Sequence, residues 1–412
     1  MKKPQENRPV KRALDVGENG VALHFLGLAS MRAQKNKVCV LSPGSFSDNS
    51  KYIYSYLHAN LQQIDPDLEL FWLCHSAEEN EQLRAAGVNS FQFGRRSALL
   101  KMLIETKYVF ACTHHLANPT YCYLQIALSG ATKIQLWHGV PAKSIAYQLA
   151  EGQPPGGFAF YSYDCLSADY VTSESDFVSP RYQEGFPNAE VIVTGSPRTD
   201  ILFDGGEEIE FAEINTNQNI IGRMRRARAQ GAKTVLYCPT FRAKRQDRTV
   251  FLNEARAFIE SCAGMRDCLL VIKNHKVSED TPELRAMVDA LDTDRVLFVD
   301  PRDDIYPYLR ETGILVTDYS STYYDFLLTG GRVLFFQPDR EAYLETREIY
   351  DERDVSGYEV GEYATRGKDC AALLNTREDQ RYVDDRAKLK QRIFKYDTLS
   401  ASKRVVDRVL SK

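Results

Sequence analysis

The sequence predicts an α/β protein of two domains, each built on a parallel sheet with helical crossovers. Three observations point there. Apolar runs of strand length recur along the chain, stretches of helical period lie between them, and the rhythm breaks near the middle and restarts. At 412 residues the chain is also too long for one comfortable core, so domains of roughly 150–200 residues each are expected.

In the first half the strand-like runs are 37–41, 68–74, 90–93, 108–112, 133–137, 170–172 and 191–194, with helical patterns at 51–63 and 77–86. Turn residues then cluster in Gly195-Ser196-Pro197-Arg198-Thr199-Asp200 and Asp204-Gly205-Gly206, and an Arg-rich helical stretch follows to about Gln230. Strand-like runs resume at 234–238, 269–273, 296–299, 314–317 and 333–336. The expected division is 1–205, 206–395 and a C-terminal helix, 396–412, that could pack back on the first domain. Gln153-Pro154-Pro155-Gly156-Gly157 breaks any helix and is expected to be a mobile loop.

A formal charge of −4 is small for this size and gives no footprint for a polyanion binder, so no nucleic-acid partner is expected. The nine cysteines show no metal-ligand spacing, and with no cleavable signal they read as core thiols of a cytoplasmic protein. No run reaches the roughly 18–20 apolar residues of a membrane span. The apolar stretch 21–31 follows the basic Lys2, Lys3, Arg8, Lys11 and Arg12, an arrangement suited equally to peripheral contact with the inner face of the membrane and to ordinary helix packing.

In a parallel sheet, ligands gather at the carboxyl ends of the strands, and there the chain concentrates its reactive side chains. His138 follows one such run in Trp137-His138-Gly139-Val140-Pro141, where no regular strand can continue. An imidazole titrates near 6.5 and suits proton abstraction at neutral pH. Lys143 falls in the first turn of the next expected helix. His275 ends another run beside Lys273 and Lys276, whose charges favour a neutral ring that donates to a phosphate oxygen. Thr240 and Arg242 follow the strand that opens the second half, with Arg242 preferred as a ligand over Lys244 and Arg245. In Asp318-Tyr319-Ser320-Ser321-Thr322, Asp318 is expected to cap a helix whose hydroxyls and amides hold a diphosphate. Asp48-Asn49-Ser50 reads either as a helix start or as an acceptor site. His114 and His115 lack the partner spacing of a metal centre and read as loop residues.

Taken in order, these segments resemble the CDP-glycerol:glycerophosphotransferase family, the teichoic acid and capsule polyol-phosphate transferases. The matching stretches are 47–52, 137–143, 195–200, 237–242, 273–275 and 317–321, with departures from the family pattern at Val140, Ala142 and Lys276. The resemblance implies a GT-B architecture of two facing Rossmann-like domains, the first binding acceptor and the second the CDP donor. It implies transfer of a polyol phosphate, glycerol phosphate first among the choices, from its CDP carrier to an acceptor hydroxyl with release of CMP. The acceptor would be a lipid-linked saccharide or a growing polymer. By that likeness His138 is the base, and His275, Ser320 and Ser321 hold the donor's diphosphate; Lys143, Arg198, Thr240, Arg242, Lys273, Asp318 and Thr322 are expected to join them around the donor's phosphates. The site then carries its own cations, and neither metal nor cofactor is expected.

Two other readings stand beside it. A GT-B glycosyltransferase or nucleotide-sugar epimerase would grip a ribose with a carboxylate such as Asp339 or Glu341. A non-catalytic nucleotide-binding module of a polymer assembly complex would need neither histidine.

Overall fold

The computed structural model describes residues 25, 27–93, 97–113, 126–141, 144–149, 165–240, 242, 248–275, 281–291, 293–344 and 358–410. Lys143, His114, His115, Lys244, Arg245, Lys276, the 153–157 loop and the basic N-terminal residues lie outside them.

β1 (Lys37–Leu41), β2 (Glu69–Cys74), β3 (Ser90–Gln92), β4 (Thr106–Ala111), β5 (Thr132–Gln135), β6 (Tyr170–Ser173) and β7 (Glu190–Val193) form one sheet in the order β3-β2-β1-β4-β5-β6-β7. The second holds β8 (Lys233–Cys238), β9 (Cys268–Ile272), β10 (Val296–Phe298), β11 (Ile314–Thr317), β12 (Arg332–Phe336) and β13 (Gly361–Ala364), ordered β10-β9-β8-β11-β12-β13. Every pairing is parallel, as Cys39 opposite both Phe71 and Val109, and Thr317 opposite both Cys238 and Phe335, illustrate. Each order reverses beside its first strand, which opens a crevice between β1 and β4 and another between β8 and β11. Two doubly wound sheets in one chain are the GT-B architecture.

The strands read as apolar runs because both faces are covered. Along β1, Val38 and Val40 enter one core with Trp72 and Leu57, while Cys39 and Leu41 enter another with Phe71 and Leu103. The final helix, α13 (Ala401–Leu410), sends Val405, Val406 and Val409 into the core of Val38 and Val40. Its first turn is capped from a distance: the Asp200 carboxylate accepts from the backbone N–H groups of Ser400, Ala401 and Ser402 at 2.9, 2.7 and 2.9 Å. All eight described cysteines are buried free thiols, and no described helix is long and apolar enough to cross a membrane.

The two sheets meet through loops at their carboxyl ends. At the start of α1 (Asp48–Ile64), Lys51 spends its three N–H donors on Ala212 O, Ile214 O and Asp304. Burial pushes the Lys51 pKa down, and Asp304 opposes that fall. Tyr52 donates to the same Asp304 at 2.7 Å, and Ser45 to Arg302 O at 3.1 Å. One apolar cluster crosses the junction, holding Tyr52, Trp137 and Phe186 together with Tyr306, Tyr323 and Phe326.

Candidate active site

The His138 turn is held from several sides. Trp137 adopts φ +52°, rare for a bulky residue, and Gly139 adopts φ +143°. The Asn49 amide donates to Leu136 O and Trp137 O at 3.0 and 2.9 Å, Thr172 donates to Leu136 O, and Gln135 accepts from Trp137 N–H. The exposed His138 ring stacks on Trp137 with centroids 4.2 Å apart, and its Nδ1 lies 3.0 Å from Cys112 O. A carbonyl oxygen only accepts, so Nδ1 carries the hydrogen and Nε2 is the nitrogen that can take a proton.

This turn presses against the second domain. A Cβ on Gly139 would stand 3.2 Å from Ser321 Oγ and 3.3 Å from Arg198 Nη2. Ser320, Ser321 and Thr322 are half-buried at the start of the short helix α9 (Thr322–Phe326). Ser320 Oγ sits 2.9 Å from Thr322 Oγ1 and accepts from Thr322 N–H. His275 is exposed just beyond β9. Lys273 is buried, and its ammonium donates to Pro301 O at 2.9 Å. Burial lowers its pKa, while Cys238 and the acidic Asp303, Asp304 and Asp300 pull the other way. The structure therefore brings together His138 and the Ser320–Thr322 segment, and turns Lys273 toward the loop after β10.

Several expected ligands are committed elsewhere. Arg198 is 1% exposed, and its guanidinium joins Asp325 at 2.9 Å and Asp48 at 3.0 Å. Burial works against that charge, but Asp325 and Asp48 outweigh it and hold the Arg198 pKa well above its ordinary value. Arg198 thus clasps the two domains and has no charge left for a phosphate. Arg242, equally buried, is gripped by Asp339 through two bonds of 2.9 and 2.8 Å and by Asp318. Its charge is answered within the protein, so two of the cations expected to replace a metal are withdrawn. Asp318 is no helix cap: it accepts from Thr240 N–H at 2.9 Å, from the Thr240 hydroxyl, and from Tyr319 N–H, tying β8 to β11 across the crevice. Thr240 is correspondingly engaged. Asp339, once a candidate ribose ligand, is spent on Arg242, and Glu341 lies exposed on α10 (Arg340–Leu344).

Of the residues expected to meet an acceptor, Asn49 and Ser50 are fully buried, Asn49 on the His138 turn and Ser50 against Cys112 Sγ at 3.2 Å. Neither has surface to offer an acceptor. Asp48, at φ +57°, keeps a partly exposed carboxylate beside Arg198.

Other groups escaped notice in the sequence. Glu174 follows β6, and Tyr182 and Arg181 project from α4 (Ser179–Gly185) onto Gly139 O and Pro141 O, gripping the far side of the His138 turn. Glu174 carried the same strand-end signal as His138.

The sequence profile described as CDP-Glycerol:Poly(glycerophosphate) glycerophosphotransferase matches residues 26–411. Among curated proteins, the chain is 26% identical over 375 residues to the teichoic acid ribitol-phosphate polymerase TarK of Staphylococcus aureus, covering 88% of this chain and 65% of that one. It is 24% identical over 319 residues to the teichoic acid poly(glycerol phosphate) polymerase of Bacillus subtilis, covering 72% and 38% respectively. The chain thus spans less than two thirds of the length of these relatives. Among solved structures, the wall teichoic acid polymerase TagF superposes with a TM-score of 0.70 at 18% identity, covering 99% of this chain and 98% of that one. S. aureus MnaA with UDP superposes at 0.56 and 13% identity, covering 91% and 96%. With the profile matched over nearly its whole length, the chain belongs to the CDP-glycerol:poly(glycerophosphate) glycerophosphotransferase family.

Proposed function

We propose that the chain transfers a polyol phosphate, with glycerol phosphate the first choice, from a CDP-activated donor to an acceptor hydroxyl, releasing CMP. One observation carries this reading: His138 is oriented by Cys112 O so that Nε2 is its basic nitrogen, on a turn packed against the serine-rich start of α9. The acceptor hydroxyl gives its proton to Nε2 as its oxygen bonds to the β-phosphorus. The bond from that phosphorus to the α–β bridging oxygen breaks, and CMP departs with the electron pair. His275, the Ser320, Ser321 and Thr322 hydroxyls and Lys143 of the first domain meet the charge on the diphosphate, the larger part of phosphoryl-transfer catalysis. Family membership supports the reaction class, and so does a solved TagF variant soaked with CDPG, which superposes at a TM-score of 0.68.

The acceptor is a lipid-linked saccharide or a growing teichoic-acid-like or capsular polymer, met at the inner face of the cell membrane. Phe25 and Met31, 64% and 65% exposed after the basic N-terminal residues, support a peripheral contact there. The purified chain, offered CDP-glycerol, CDP-ribitol and UDP-sugars with a short lipid-linked acceptor, is expected to release CMP. Release of UDP, with the CDP-polyols untouched, would overturn the proposal.

A further inference from the structure

We infer that Glu174 is a positioning residue for the His138 turn: its carboxylic acid donates from Oε2 to Tyr182 Oη, and Tyr182 in turn donates to Gly139 O. The inference rests on reading His138 as the base.

Counting hydrogens leads there. Tyr182 Oη lies 3.0 Å from Gly139 O, 2.9 Å from Glu174 Oε2 and 3.2 Å from Oε1. The phenol has one hydrogen, and the carbonyl can only accept. If Tyr182 donates to Gly139, the remaining short contact needs a hydrogen from Glu174. Ser196 Oγ already donates to Oε1 at 2.8 Å, which leaves Oε2, the oxygen nearer Tyr182, to carry the proton. Both side chains are 1% exposed, so water does not supply an alternative donor.

The charges around Glu174 agree. Facing it are Arg198 beyond β7, Asp325 on α9 and Tyr182 on α4. Arg198 is shared with Asp325 and Asp48, and its pull on Glu174 is opposed by Asp325 as well as by burial. Burial raises the Glu174 pKa above the usual carboxylate range, against the pull of Arg198 and Ser196. Gly139 has no slack, since Ser321 closes its other side. Loss of the Glu174 proton as pH rises therefore frees the carbonyl that steadies His138.

Glu174→Gln tests this, because its amide donates to Tyr182 and accepts from Ser196 without titrating. In the full chain, the infrared difference between the native protein and E174Q is expected to contain the carbonyl stretch of one protonated carboxylic acid, since other buried acids such as Asp325 and Asp200 stay in both. E174Q is expected to keep kcat and lose the alkaline fall of the native pH profile. Tyr182→Phe should lower kcat on the order of 10²-fold with the donor KM unchanged, as for a misplaced catalytic group. Absence of that band from the infrared difference, a kcat for E174Q as low as that of Glu174→Ala, or full turnover in Y182F would overturn the inference. Failure of the native chain to turn over any CDP-polyol would instead sink the proposed reaction, leaving the infrared comparison to judge Glu174.

Discussion

Replacing Arg198 with alanine removes the clasp between the two sheets. The residue comes from the turn after β7, while its main partner, Asp325, lies on α9 of the second domain. Asp325 is 2% exposed and, among the described residues, keeps only the Tyr306 hydroxyl, at 2.6 Å, once the guanidinium is gone. Stranding a buried carboxylate in this way costs about 3–5 kcal/mol. Asp48 adds little, because its carboxylate is 24% exposed and water can replace the arginine. At 2–4 °C per kcal/mol, the first thermal transition should fall by roughly 6–20 °C. Differential scanning calorimetry of the single variants and of Arg198→Met with Asp325→Leu tests the assignment. The double variant should recover much of the loss, since no charge is then left unpaired. A melting curve for Arg198→Ala that overlays the native one, with donor affinity lost, would make Arg198 a ligand and refute the clasp.

Gly139→Ala should cut turnover more than stability, because a Cβ at φ +143° would press on Ser321 and tilt the neighbouring His138; unaltered kcat would show that the turn tolerates displacement. Arg242→Ala leaves the Asp318 and Asp339 carboxylates facing one another and should destabilise the protein by about 3–5 kcal/mol in denaturant titration. A weakened donor Kd at native stability would return it to the phosphate site. Asp200→Ala removes a charged acceptor from three backbone N–H groups at the start of α13, each charge-assisted bond worth about 1.5–3 kcal/mol. Hydrogen exchange should then rise selectively across residues 401–410. Protection equal to the native chain would mean that Val405, Val406 and Val409 hold the helix unaided.

The architecture was legible because buried parallel strands announce themselves as apolar runs. β1 and β11 fall where the pattern places them, and most other strands differ by a residue or two at an end. β13, with Gly361-Glu362-Tyr363-Ala364, was missed: it lies at a sheet edge with one partner and needs no continuous apolar run. That His138, His275 and Asp318 lie just beyond strands was legible for a related reason, since strand ends are marked by where the runs stop. What each charge faces was not. Arg198 and Asp325 are 127 residues apart, and Arg242 and Asp339 are separated by 97, so no local pattern tells a cation aimed at a ligand from one answered by a carboxylate. Asn49 shows the same limit from the polar side. At a helix start it reads as a cap or a ligand, and only the fold reveals the two carbonyls beyond β5 that claim its amide.

The role of His138 is tested most directly by measuring CMP release and donor affinity together in His138→Ala. Taking away the proposed general base costs about 10²–10⁴-fold in rate, while the proposed diphosphate contacts on the opposite domain remain. The expected result is turnover reduced by that factor, with calorimetric affinity for CDP-glycerol near the native value. Native turnover in the variant, or a collapse of donor binding with the rate per bound donor intact, would contradict it.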